Sequence, residues 1–169
     1  SGAREYEYHP QPLNARRERE GSFPGFLRED GRVGIRNEVW IIPTVGCVSH
    51  TAQQVARRAE KLYGGRVDGV YAFSHVHGCS QMGDEQENTQ RTLAALVNHP
   101  NAGAVLVMGL GCENNHVDLF RKFVGEAPPG RVMYMNCQQE PDEQQAALGR
   151  LDALTQYAAR FRRQPCPTS

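Results

Sequence analysis

Short apolar runs alternate along the chain with longer stretches whose apolar residues recur every three or four positions. The apolar runs predict strands over 38–45, 67–74, 104–109 and 131–136. The first is almost wholly Val, Trp and Ile, as expected of a strand covered on both faces, and Pro43 within it marks a strand end or an edge. The intervening stretches predict helices. One spans 49–63, with Ala52, Val55, Ala56, Ala59 and Leu62 on a single face and Gly64-Gly65 as its stop. A second spans 85–98 and carries Leu93, Leu96 and Val97. A third is expected to open at Gly111 and to place Val117, Phe120, Phe123 and Val124 together before Gly125. The last follows Pro141 and runs to about 162, with Ala147, Leu148, Leu151, Leu154, Ala158 and Phe161 in line.

Strand followed by helix, four times over, implies crossover connections and a mainly parallel sheet. The expected fold is therefore α/β: a Rossmann-like three-layer domain of about four strands over 23–163. Before it, Gly25, Gly31 and Gly34 punctuate short apolar pieces, and Asp30-Gly31 is a turn signal, so a small hairpin is expected there. Residues 1–22 are polar, with Pro10 and Pro12, and read as a linker or arm; 164–169, with Pro165 and Pro167, read as a tail.

Composition narrows the function classes. The 19 basic side chains equal the 19 acidic ones, so no global positive field exists to hold nucleic acid or an anionic membrane. No apolar run approaches the roughly 20 residues that cross a bilayer. The start, Ser1-Gly2-Ala3, has neither an initiator Met nor an apolar signal region and reads as a cut from a longer chain. Five cysteines, an odd number, do not suggest a disulfide framework; a reducing cytoplasm is the expected compartment.

Four of those cysteines occupy equivalent places. Cys47, Cys79, Cys112 and Cys137 each follow a predicted strand, which puts all four at the carboxyl edge of a parallel sheet, where open α/β folds bind ligands. A single such cysteine is often just a small apolar side chain. Four suggest soft metal ligands or nucleophiles, with a helix amino end after each turn to favour a thiolate. No CxxC pair occurs, which argues against a closed structural zinc site. In Ser74-His75-Val76-His77-Gly78-Cys79, an extended backbone places both imidazoles on one side. There they are candidates for proton transfer or ligation, or else form hydrogen bonds to carbonyls. Gly109-Leu110-Gly111-Cys112-Glu113-Asn114 has the shape of an anion-accepting turn, but Asn114 replaces the third glycine of a dinucleotide fingerprint. Arg36 is a candidate partner for a substrate carboxylate, although its end of the strand lies opposite the cysteine edge, where a surface ion pair is the ordinary role.

Taken together, several ordered motifs resemble the altronate/galactarate dehydratase family. They are Gly31-Arg32-Val33-Gly34-Ile35-Arg36-Asn37, Pro43-Thr44-Val45-Gly46-Cys47, His77-Gly78-Cys79-Ser80-Gln81, His99-Pro100-Asn101, Gly109 to Asn115, and Cys137-Gln138-Gln139. The resemblance covers about 26–140 and implies the second domain of a longer sugar-acid hydro-lyase of hexuronate breakdown, associated with a divalent metal, chiefly Fe2+. From their strand-end placement, rather than from the family, Cys47, Cys79 and Cys112 are expected to hold or line an iron site, with Cys137 as a less central wall. His75 and His77 are expected as acid/base groups, and Arg36, Glu113 and Asn114 as contacts for a sugar acid. Flanking domains would be partners, a homo-oligomer is compatible, and the fragment alone is expected to be inactive. A non-catalytic scaffold that docks those domains and an iron–sulfur or redox module remain the other possibilities.

Overall fold

A computed structural model of the chain describes His9 and residues 21–168. The arm expected over 1–22 thus lies outside the described residues apart from His9, Gly21 and Ser22.

The predicted alternation builds a single parallel sheet. Strands β3 (Glu38–Pro43), β4 (Gly69–Ala72), β5 (Ala102–Gly109) and β6 (Val132–Asn136) stand in the order β4-β3-β5-β6, all parallel. Every residue of β3 and β5 is buried, because both strands are central and covered on two faces. Side chains alternate between the faces. Val39, Ile41, Leu106 and Met108 pack with α1 (Ser49–Tyr63) and α4 (Glu143–Ala158). Trp40, Ile42, Val105 and Val107 pack on the other side with α2 (Gly83–Val97) and α3 (Val117–Val124). The result is three layers, and Pro43 stands as the last residue of β3, where its missing N–H costs least.

The chain order gives the sheet a switch point. From β3 the chain passes through α1 to β4 on one side, then returns through α2 to β5 on the other. The loops that leave β3 and β5 therefore diverge and open a crevice at the carboxyl edge, the position where such sheets bind ligands.

The expected hairpin is present as β1 (Ser22–Leu27) and β2 (Val33–Gly34), turning at Gly31 with φ of 82°. It is fixed at the opposite, amino edge. Buried Arg28 donates to the carbonyls of Pro100 and Arg36 and to Asn37 Oδ1, at 2.7–2.8 Å.

Three expectations change. The tail contains a strand: β7 (Gln164–Pro167) pairs antiparallel with β1, completing a small sheet of order β2-β1-β7. Prolines are tolerated there because β7 is an edge strand, and Cys166 is buried beneath it. The third helix opens at Val117 rather than Gly111, its amino end capped by His116, whose Nδ1 accepts from the Leu119 N–H at 3.2 Å. Strand β4 ends at Ala72, which leaves the following residues as an extended loop over the edge. Among the described residues no helix is long and apolar enough to cross a membrane.

Candidate active site

Three loops meet at the switch point, and the residues that join them explain their shape. After β3, the Gly46 N–H donates to the His77 carbonyl at 2.7 Å. A Cβ on Gly46 would stand 3.0 Å from the carbonyl oxygens of both His75 and His77, so only glycine permits this approach without displacement. Ser49 Oγ adds a bond to the His75 carbonyl at 3.1 Å.

After β5, Glu113 folds back over its own turn. Its Oε1 accepts from Thr44 Oγ1 at 2.7 Å and from the Leu110 N–H at 3.0 Å, and its Oε2 accepts from the Gly111 N–H at 2.6 Å. Gly111 holds φ of 121°, a conformation the turn requires and L side chains rarely adopt. Asn115 Nδ2 donates to the Thr44 carbonyl at 2.9 Å, while its Oδ1 accepts from Gln90 Nε2 at 3.0 Å. The β3 and β5 loops are thus stapled through buried side chains of α2 and the β5 loop. Burial alone would raise the Glu113 carboxyl; the bonds from Thr44 and from backbone N–H groups outweigh it and hold the group below the ordinary carboxylate range.

Glu113 is 4% exposed and both its oxygens are engaged inside the protein, so as placed it shapes the crevice. It lines that crevice together with Asn114, Asn115, Val45, Gly78, Cys79, Gln81 and Gln86.

The two imidazoles do share a side. Their ring centroids are 5.6 Å apart, and Val76 between them points away, 93% exposed. Both line a cavity of about 440 Å3, whose base is Phe73, Leu93 and Leu96 and whose walls include Glu85, Asn88, Thr89 and Thr92. An apolar base with a few polar groups is the ordinary make-up of a small-ligand site, and the size falls within the usual range of about 300–1,000 Å3. His75 Nε2 lies 3.0 Å from the Pro43 carbonyl. Burial pushes the His75 imidazolium down, the Pro43 carbonyl opposes this, and the His77 charge adds to it.

The thiols are less alike than their spacing suggests. Cys47 sits in the short turn Gly46–Val48 that leads into α1, whereas α2 starts four residues beyond Cys79 and α3 five beyond Cys112. Only Cys47 therefore adjoins a helix amino end. Cys47, Cys79 and Cys112 are exposed, and Cys112 Sγ lies 3.7 Å from Gln138 Nε2. Cys137 is buried, and its thiol is pushed up to about 12 by desolvation and by the Glu143 carboxylate. Iodoacetamide at pH 8 is accordingly expected to label Cys47, Cys79 and Cys112 in the native chain and to spare Cys137, only roughly one part in ten thousand of which is thiolate at that pH. Peptide mass mapping checks this; labelling of Cys137 as fast as Cys79 would contradict it.

Among the described residues no three His, Cys, Asp or Glu side chains stand close enough to share a metal ion. Cys47, Cys79 and Cys112 occupy one edge but do not form a ligand set as they stand. Nor is Arg36 brought to this edge: it lies before β3 at the amino end and pairs with Glu38 Oε1 at 2.7 Å. Sequence reasoning missed Thr44, Gln90, Asn115 and Gln138. A signal for Gln90 existed, since it continues the Leu93, Ala94 and Val97 face of α2 as a polar residue among buried apolar ones.

Residues 25–159 match the family described as D-galactarate dehydratase/Altronate hydrolase, second domain. The chain belongs to this family. Among curated relatives, altronate dehydratase of Escherichia coli (strain K12) is 49% identical over 142 residues, which cover 83% of this chain and 29% of that protein. Altronate dehydratase of Bacillus subtilis (strain 168) is 40% identical over 150 residues, covering 88% and 30% respectively. The beta subunit of (2R)-sulfolactate sulfo-lyase from Chromohalobacter salexigens is 30% identical over 150 residues, covering 88% of this chain and 36% of the subunit. The chain thus spans about a third of the length of the curated relatives it matches.

Proposed function

We propose that this chain is a domain of a sugar-acid dehydratase acting on altronate or a closely similar polyhydroxy acid, and that the carboxyl edge of its sheet forms part of the active site. The observation that carries the proposal is the pair of imidazoles on one wall of a cavity beside the stapled switch-point crevice. The relatives' names describe related chemistry: altronate dehydratase removes water from a hydroxy acid, and sulfolactate sulfo-lyase removes a sulfo group from one. Both fit an elimination in which a proton leaves the carbon beside the carboxylate and a group leaves the next carbon.

In that elimination the electron pair of the broken C–H bond forms the carbon–carbon double bond, and the neighbouring hydroxyl departs as water with a proton drawn from solvent, to which His77 later returns its own. The resulting enol tautomerises to the 2-keto-3-deoxy acid. His77, exposed at the cavity wall, is the base that receives the C–H proton on its imidazole. Asn114, Gln81, Gln86 and Cys79 line the narrow switch-point crevice, whose cavity volume is about 10 Å3, and its amide groups reach substrate hydroxyls only where it widens. Among the described residues the thiols of this chain do not by themselves make a metal-ligand set.

The test is formation of a 2-keto acid from altronate by the full-length protein that contains this domain, beside the 169-residue chain alone. Turnover by the former and none by the latter is expected. Absence of turnover of either altronate or galactarate by the full-length protein would refute the proposal.

A further inference from the structure

The His75 ring has one nitrogen explained and one unexplained. A carbonyl oxygen only accepts hydrogen bonds, so the contact with Pro43 requires the proton on Nε2. In the neutral ring Nδ1 is then the bare acceptor. That Nδ1 is buried and has no partner among the described residues. A buried polar atom without a partner is costly and calls for an explanation.

The group placed to satisfy it is the neighbouring ring. The two rings stand tilted by 35° at a centroid separation of 5.6 Å and share no hydrogen bond as placed, so a turn of the His77 side chain is what brings one of its nitrogens to Nδ1. The His77 side chain is exposed and free to turn, while its backbone is held by the Gly46 N–H.

We infer that His75 is a positioning residue for His77: anchored through Nε2–H on the Pro43 carbonyl, it receives the ring N–H of His77 on its buried Nδ1. The arrangement fixes which His77 nitrogen keeps a lone pair toward the cavity. When that nitrogen takes a proton from substrate, the imidazolium charge on His77 is stabilised by the Nδ1 lone pair. The proton itself stays on His77, because the Pro43 carbonyl at the far end of the chain of bonds takes none. His75 would act through His77 and never touch the reacting carbon. This rests on His77 being the base, but its structural half is measurable without substrate.

Long-range proton–nitrogen NMR spectra of the chain labelled with 15N-histidine read both tautomers directly. The expected spectrum has His75 protonated at Nε2, with Nδ1 shifted as a hydrogen-bonded acceptor. In His77→Ala, which alters an exposed ring and leaves the fold intact by circular dichroism, the His75 Nδ1 signal moves to that of a free acceptor. A His75 protonated at Nδ1, or an Nδ1 signal indifferent to His77→Ala, would overturn the inference even if the full-length protein proves a dehydratase. In the full-length enzyme His75→Gln retains a donor for Pro43 but offers no acceptor at the Nδ1 position. It should lower kcat about tenfold or more, a loss of the size seen for groups that orient a reacting residue, with KM within about twofold. His75→Asn, whose Oδ1 stands near the Nδ1 position, should recover part of that loss. Unchanged kcat in His75→Gln would count against the inference whatever the dehydratase result.

Discussion

Glu113→Ala is expected to destabilise the folded chain by about 2 kcal/mol, the cost of leaving one buried and two part-buried donors without their acceptor. The substitution strands the Thr44 hydroxyl and the N–H groups of Leu110 and Gly111, all of which now end on one carboxylate. It also loosens the only described side-chain link from the β5 turn to the Thr44 hydroxyl. Urea unfolding should show the lower midpoint at an unchanged slope; a change under about 0.5 kcal/mol would show that the turn holds without its staple. The sign of the pH dependence follows from the lowered carboxyl. Its folded value lies below its unfolded one, so its contribution is complete above the ordinary carboxylate value of about 4.3 and is lost as pH falls through the lower, folded value. Glu113→Gln should therefore flatten the acid limb of the stability curve relative to wild type.

The second large effect falls on catalysis. His77→Gln in the full-length enzyme is expected to lower kcat by about 10²–10⁴-fold, the usual contribution of a positioned acid or base. KM should change little, because an imidazole that acts on the proton in transit contributes mostly to the transition state. Stability should be nearly unaffected, since the ring is exposed and the bond that fixes the loop comes from the His77 backbone carbonyl. A variant that lost kcat only by unfolding would show a lower urea midpoint as well, which separates the two causes.

Much of this geometry was legible from residue patterns. Strand and helix periods placed the four parallel strands and their carboxyl edge, because fully buried strands and amphipathic helices are written in apolar spacing. The i, i+2 spacing of His75 and His77 put their rings on one side, as found. The sheet order was not legible, since each strand carries the same kind of apolar run and nothing local names its neighbour. The spacing of the cysteines placed them at one edge without bringing them into one ligand set among the described residues. Equivalent positions after strands share an edge, but whether side chains converge depends on where each following helix starts, and α2 and α3 start late. Glu113 reads as a ligand contact because it sits beside Cys112; turns at strand ends also need internal acceptors for their own N–H groups, and as placed it fills that need. Pro165 and Pro167 suggested disorder, where an edge strand accepts them as readily.

The most direct test compares kcat/KM for altronate in the full-length enzyme carrying His77→Gln with that carrying Arg36→Gln. The first lies on the carboxyl-edge cavity and the second at the amino end of β3, paired with Glu38. A loss of about 10²-fold or more for His77→Gln, with Arg36→Gln within about threefold of wild type, is the result expected if chemistry occurs at the switch-point edge. Equal losses, or a larger loss for Arg36→Gln, would place the chemistry elsewhere.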